Sequence, residues 1–427
     1  SGWDVSTYGE SASWSDRGPN SQGRMDPDLV TIGWSATGDV TLNEKTDANS
    51  AYRSWSGTSL ATPVAAGLMA LLYDAWFAEH GSFPNSQLIR DLAMSTAEDR
   101  AYDGNVQGAG WFDADRATAS ISGENGTWWT EPGAWMPGQN NGAHRLSNIN
   151  WLLPGGNDTL QYSIHNPTQD ILNLQMNGTT WQATSHFNQS WISQESGGDW
   201  DGYQSSMPDI VVPILIHGDA NNTSIASDAT LVRARAVIDA AGFDGDKNYA
   251  SENNVYVRIY RWNDTDGDGT WWTDSDGDGL VDSGEWESSG EYSTITEHMY
   301  TSSQVEARVG NPWDLPADGI LLGVFRRNVR SSQIDPLTIN YDITGFSKRI
   351  DSWLTVPIAI AVPPMSSITV PIDIDVPLNA IPGLHLSSVG ILDSNNHSWN
   401  LQVVATIAGS GPTSWQAPLI DGNLSNQ

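Results

Sequence analysis

Cysteine is absent from all 427 residues, so neither disulfides nor thiolate metal sites are available to the chain. Basic side chains are scarce: 19 Lys and Arg stand against 51 Asp and Glu, a net charge of -32. Such a surface repels nucleic acid and anionic membranes, and nucleic acid is excluded as a partner. It suits salty surroundings, where screening removes self-repulsion. Histidine is missing from the first 58 residues; all eight lie between His80 and His397, without the spacing of a metal site. Long apolar runs are missing too. Val356 to Pro364 is short and carries three prolines, so no membrane span is expected.

What is present begins with Arg53 to Leu72, RSWSGTSLATPVAAGLMALL. Ser59 sits where an irregular segment becomes a helix. Gly57 has no Cβ, which permits a tight turn and close approach of a substrate. The first N–H groups of a helix lack intrahelical partners, and the macrodipole leaves that end partly positive. An oxyanion forming beside Ser59 would therefore meet donors already in place. From Val64 to Phe77 nearly every residue is apolar or small, and the expectation is a helix buried on all sides, ending at His80-Gly81 with glycine as its cap.

This stretch resembles the nucleophile motif of the subtilisin-like serine proteases, the subtilases, in which Gly-Thr-Ser opens a central helix and Ala-Thr-Pro follows. Gly57-Thr58-Ser59 and Ala61-Thr62-Pro63 match, and Ser59 takes the nucleophile's place. Trp14 to Pro19 with Gly23 to Asp28 resembles the family's Ser-x-Arg-Gly-Pro and Gly-Arg-x-Lys-Pro-Asp segments. Gly108 to Ala114 resembles the stretch that closes the catalytic domain. The resemblance covers about residues 1 to 120. It implies an Asp, a His and a side-chain oxyanion donor that precede the serine by more than 58 residues. A serine needs such a base to be activated. With Ser1 rather than Met at the start, the expectation is the C-terminal piece of a subtilase, inactive alone and partnered by the missing N-terminal part, with the Ser59 helix exposed on at least one apolar side where upstream strands are missing.

The expected fold class is an α/β C-terminal piece of a subtilisin-like catalytic domain, over 1–122, followed by all-β sandwich domains. Asn85 or Ser86 starts a second helix to about Thr96, with Leu88, Ile89, Leu92 and Ala93 on one face, and a third spans Asp113 to Ser120. At about residue 122 helical periodicity nearly vanishes. Leu160 to Ile164, Leu231 to Val237 and Val255 to Tyr260 alternate, as strands with one face in a core and one in water do. Residues 123–348 read as one β-sandwich or two, and 349–409 as a small sandwich loosely similar to fibronectin type III. Residues 410–427 read as a linker or the start of a further domain. The 21 Trp residues are expected in cores and turn anchors rather than as a sugar-stacking strip.

A second specific signal is DTDGDGTWWTDSDGDGLVDSGE, Asp264 to Glu285. Its later half resembles a twelve-residue EF-hand-type calcium loop. Asp274, Asp276 and Asp278 take positions 1, 3 and 5, and Gly279 the sharp turn. Leu280 offers its carbonyl at 7, Asp282 serves 9, and Glu285 is the bidentate ligand at 12. Asp264, Asp266 and Asp268 begin the same pattern, but Ser275 stands where the Glu belongs. Asp274 then closes that loop, as in thrombospondin type 3 repeats. The nine carboxylates between Asp264 and Glu287 repel one another without a cation, so Ca2+ is the expected cofactor. The plainer alternative is a solvated acidic loop.

Two functions remain open. One is a secreted endopeptidase, extracellular or at the cell surface, acting on proteins or peptides through Ser59. The other is a non-catalytic, calcium-stabilised surface or binding module derived from a subtilase. Recurrent Asn-x-Ser/Thr triplets add mild support for an extracellular place.

Overall fold

The computed structural model describes residues 2–4, 10–12, 15–19, 25–34, 36–39, 52–138, 150–193, 208, 210–238, 253–275, 277, 285, 291–298, 304–328 and 337–409. The described chain is largely β-sheet with some helices. It divides into two compact units, one of residues 1–3, 15–182 and 348–427, the other of 4–14 and 183–347.

The first unit holds the helices: α1 (Thr58–His80), α2 (Ser86–Ser95), α3 (Gly104–Gln107) and α4 (Ala114–Ser122). Their ends follow the local chemistry. The Asn85 side chain accepts from the Leu88 N–H and starts α2, and Asp113 does the same for Arg116 in α4. Gly81, at φ 69°, closes α1 in the left-handed conformation. Leu72, Ile89, Leu92, Phe112, Ala117, Ile121 and Trp129 form the core beneath them.

Of the two expectations for α1, burial on all sides is corrected, and exposure of one apolar side is what the described residues show. Only Ala61 and Leu72 are buried. The described elements α2, α4 and Thr31–Ile32 pack on one side of it. The other side, with Ala66, Gly67, Ala70 and Leu71, is exposed. Leu71 is 54% exposed, Phe77 44%, and Phe83 beyond the helix 69%. At 23 residues, about 35 Å, α1 is also long and apolar enough to cross a bilayer by length and composition, as core helices of soluble proteins are. The reading that no run reaches that length is thereby corrected: Ala, Gly and Pro63 interrupt the large apolar residues without lowering the mean hydropathy below a span's.

The rest of this unit is two sheets around one core. Leu354–Thr355, Ser366–Asp375, Asn157–Asn166 and Trp129–Glu131 make an antiparallel sheet in that order. The facing layer takes Ala134–Trp135, Ser398–Ile407, Gly383–Asp393 and residues 172–182, with Ala359–Val362 paired beside them. Period-two alternation directs Tyr162, Ile164, Ile372 and Ile374 from one layer, and Leu174, Met176, Trp399 and Leu401 from the other, into a shared core. Residues 349–409, read from the sequence as a sandwich of their own, share this core with Trp128 and Tyr162.

The second unit repeats the two-layer principle. Ile210–Ile216, Gly319–Asn328, Asn253–Trp262 and Tyr292–His298 form one antiparallel sheet. Gln304–Gly310, Leu231–Ile238 and residues 337–347 form the facing one. Val232, Ala234, Val257, Ile259, Leu322 and Ile343 lie between them. The expectation of one wet face fails for the strands at 231 and 255, which are buried on both. Arg233 and Arg235 lie beside Arg308, Glu306 and Asp342 in a charged ladder whose long side chains cover one another; Arg235 Nε donates to Asp342 Oδ2 at 2.7 Å. Over the other sheet, Trp271 and Trp272 pack on Tyr256, Tyr260 and Phe325.

Candidate active site and acidic loops

Ser59 is the second residue of α1 and is exposed. Gly57 precedes the helix at φ 150°, ψ 157°, a conformation essentially reserved for glycine. Its N–H donates to the Gly33 carbonyl at 2.7 Å, and its own carbonyl accepts from Leu60 and Ala61. No side chain caps this end and no acidic residue lies in the first turn. The positive end of the dipole therefore stays available beside the serine hydroxyl. Thr62 Oγ1 donates back to the Thr58 carbonyl at 3.0 Å. Pro63 has no N–H for the Ser59 carbonyl. Among the described residues, no hydrogen bond reaches the Ser59 hydroxyl.

The other motif segments meet one another. The Gly18 N–H donates to the Asn105 carbonyl at 2.8 Å. The Asp28 carbonyl accepts from Ala109, and Val30 exchanges bonds with Gly110 and Phe112. Gly108 sits at φ 64°, where a Cβ would come within 2.3 Å of the Pro27 and Asp28 carbonyls, so the upstream and closing segments pack backbone against backbone. Arg90 on α2 clamps Asp28 through both carboxylate oxygens, at 2.9 and 2.5 Å. No local signal pairs residues 62 positions apart, and the sequence reading missed this clamp.

In the second unit, Asp264, Asp266 and Asp268 turn carboxylate oxygens toward one point, all within 4.8 Å of one another. Ca–O bonds of 2.3–2.6 Å place ligands across one ion at about that spacing, so the three fit a calcium ion. Asp264 accepts from the Gly267 and Gly269 N–H groups at 2.6 and 3.0 Å, which curls the loop. The buried Glu291 accepts from Thr265 and from Trp262 Nε1, and pins the loop's start. In the later loop, Asp274 accepts from Gly277, and the buried Glu285 accepts from Ser275 at 2.6 Å across ten residues. Asp276, Asp278, Leu280 and Asp282 lie outside the described residues. Between the loops, Trp271 receives the Tyr292 hydroxyl on its carbonyl and is buried on the sheet.

A serine at the open mouth of a glycine-hinged helix is the geometry of a nucleophile beside an anion-binding helix end. Residues 4–111 match the model of the Subtilase family, peptidase S8, which supports a subtilisin-like serine protease origin for that part of the chain. No curated protein matches the chain. Among solved structures, a family 123 glycoside hydrolase from Clostridium perfringens is similar at 8% identity and a TM-score of 0.15. The match covers 61% of this chain and 23% of that one, and at this TM-score it carries no argument.

Proposed function

We propose that the chain belongs to a subtilisin-like serine endopeptidase of the extracellular space or cell surface, with Ser59 as nucleophile and proteins or peptides as substrates. The observation that carries this is the Ser59 turn itself. Gly57 holds a glycine-only conformation, the helix mouth beside it is uncapped, and the Gly33 carbonyl fixes its backbone by accepting from the Gly57 N–H. Residues 1–122 carry that catalytic piece; in the β part that follows, residues 123–182 and 348–409 share one sandwich core and residues 183–347 form the other. Ser59 would attack the scissile carbonyl carbon while helix N–H groups take the developing oxyanion. The Asp, the His and the remaining oxyanion donor come from residues outside these 427, so the chain alone is inactive toward peptides. Calcium, held by Asp264, Asp266, Asp268 and Asp274 and by the later loop with Glu285, is structural: it neutralises the acidic turns that seat Trp271.

The test is casein cleavage by the protein as encoded, with the fluorophosphonate adduct mapped by peptide mass. Cleavage should fall by at least about 10³-fold in Ser59→Ala, and the adduct should lie on Ser59. Undiminished cleavage by the variant would overturn the reading. An inert protein as encoded would favour the calcium-stabilised binding module.

A further inference from the structure

Three residues that no sequence motif connects stand in line on the first unit's four-stranded sheet. Ser367 Oγ lies 2.7 Å from His165 Nδ1. His165 Nε2 lies 3.1 Å from Glu131 Oε1. A carboxylate can only accept, so Nε2 carries the proton toward Glu131, and Nδ1 is left to accept from the Ser367 hydroxyl. The strands fix this order: His165 is the register partner of Ser367 on one side and of Trp129 on the other. Trp129 stacks flat on the imidazole, with centroids 3.7 Å apart and planes 5° from parallel, and holds its orientation. Trp129 is itself fixed in the helical core beside Trp76. Ser367 is exposed, so its hydroxyl is open to a reactant while its base is anchored.

We propose that Ser367, His165 and Glu131 form a second nucleophilic site, independent of Ser59, that hydrolyses uncharged carboxylic esters. The Ser367 Oγ–C bond forms at the ester carbonyl as the hydroxyl proton passes to His165 Nδ1. The tetrahedral adduct then breaks its bond to the alcohol oxygen, which leaves with that proton. Water attacks the acyl-serine, giving one proton to Nδ1. The carboxylic acid departs and Oγ recovers the proton. Glu131 orients the ring and stabilises the imidazolium formed in both steps.

The surroundings select the substrate class. The flanking strands, Asn157–Asn166 and Ser366–Asp375, contain neither Lys nor Arg, and the chain is strongly acidic, so an anionic ester is disfavoured. Ser163 and Thr369, whose hydroxyls meet at 3.2 Å beside the site, offer hydrogen bonds to a polar alcohol portion. An alkoxide or phenoxide departs with less protonation than an amine, which suits a single half-buried base better than peptide cleavage does. Burial pushes the His165 imidazole below its ordinary value, with Glu131 opposing, so the base is in its neutral form at neutral pH.

The test uses the 427-residue chain with p-nitrophenyl acetate and a fluorophosphonate probe. The adduct should map to Ser367, and both labelling and esterase rate should vanish in Ser367→Ala, whose exposed position leaves the melting temperature unchanged. His165→Gln should lower the rate about 100-fold. The rate should rise with pH through an apparent value below 6.5, the ordinary one for histidine. An adduct on Ser59 in place of Ser367 would show that Ser59 is activated without residues outside these 427, and would overturn this reading. No adduct at all, or an esterase rate that survives Ser367→Ala, would also overturn it.

Discussion

Lys348 Nζ donates to Asp99 Oδ2 at 2.6 Å, joining residues 249 positions apart in sequence. The same oxygen accepts from Asn400 Nδ2 at 3.1 Å, while Gln107 Nε2 and the Ala101 N–H serve the other. The ammonium also lies 5.2 Å from the Trp181 ring. One carboxylate thus ties the segment that matches the subtilases to the last strands of the same unit.

Replacing that lysine should cost stability in a pH-dependent way. Burial pushes the Asp99 carboxyl up, but the Lys348 charge and the hydrogen bonds outweigh it and hold its pKa below the ordinary value. A depressed carboxylate contributes stability that is full above its unfolded pKa, about 4, and is lost as pH falls through the folded one. Lys348→Met should lower the unfolding free energy at pH 7 by about 1–3 kcal/mol and flatten the decline in stability as pH falls below about 4. Urea titrations at stepped pH read both. Equal stability and equal slope in the variant would show that the pair contributes nothing.

The tryptophan pair in the same unit should matter more. Trp128 is fully buried, stacks on Trp399 at 4.1 Å and 23°, and donates Nε1–H to Asp393 at 3.2 Å. Arg116 covers Trp399 at 4.0 Å. Trp128→Ala should destabilise this unit by about 3–5 kcal/mol through the cavity it opens. Trp128→Phe keeps an aromatic ring, and Asp393 retains its bonds from Asn395 and His397, so its cost should be well below that of the alanine. Denaturant melts that place the two variants together would refute this packing argument.

Calcium should stabilise the second unit by mass action. At a free concentration of 100 Kd, one site adds about 2.7 kcal/mol, and a chelator removes it. Asp264→Asn loses the charge and keeps an acceptor for only one of the Gly267 and Gly269 N–H groups, so it should weaken the first site and loosen the loop's curl. Glu285→Gln should do the same at the later one. Isothermal titration with calorimetric melting checks this. No heat of binding, with a melting temperature indifferent to chelator, would leave the loops as solvated acid.

The parts legible in the sequence were those whose physics is local. Asn85 and Asp113 cap helices three residues away, and the spacing of Asp264, Asp266 and Asp268 curls one short loop around a point. The Ser59 turn was legible because the glycine, the serine and the helix start are adjacent. The exposure of α1 was legible only through the family resemblance: its composition describes what it would bury, not which side its neighbours cover. Burial of both faces at 231 and 255 likewise depends on Asp342 and Trp271, each far along the chain.

The sequence by itself determined the kinds of element and the chemistry at each short motif, because backbone hydrogen bonding, turn conformations and ligand spacing act over a few residues. Only the tertiary structure decided which distant side chains meet. Glu131, His165 and Ser367 carry no motif and fall in line because antiparallel register places strands from three parts of the chain side by side. Asp99 finds Lys348 for the same reason: register and packing, which depend on the whole chain's burial, choose the partner.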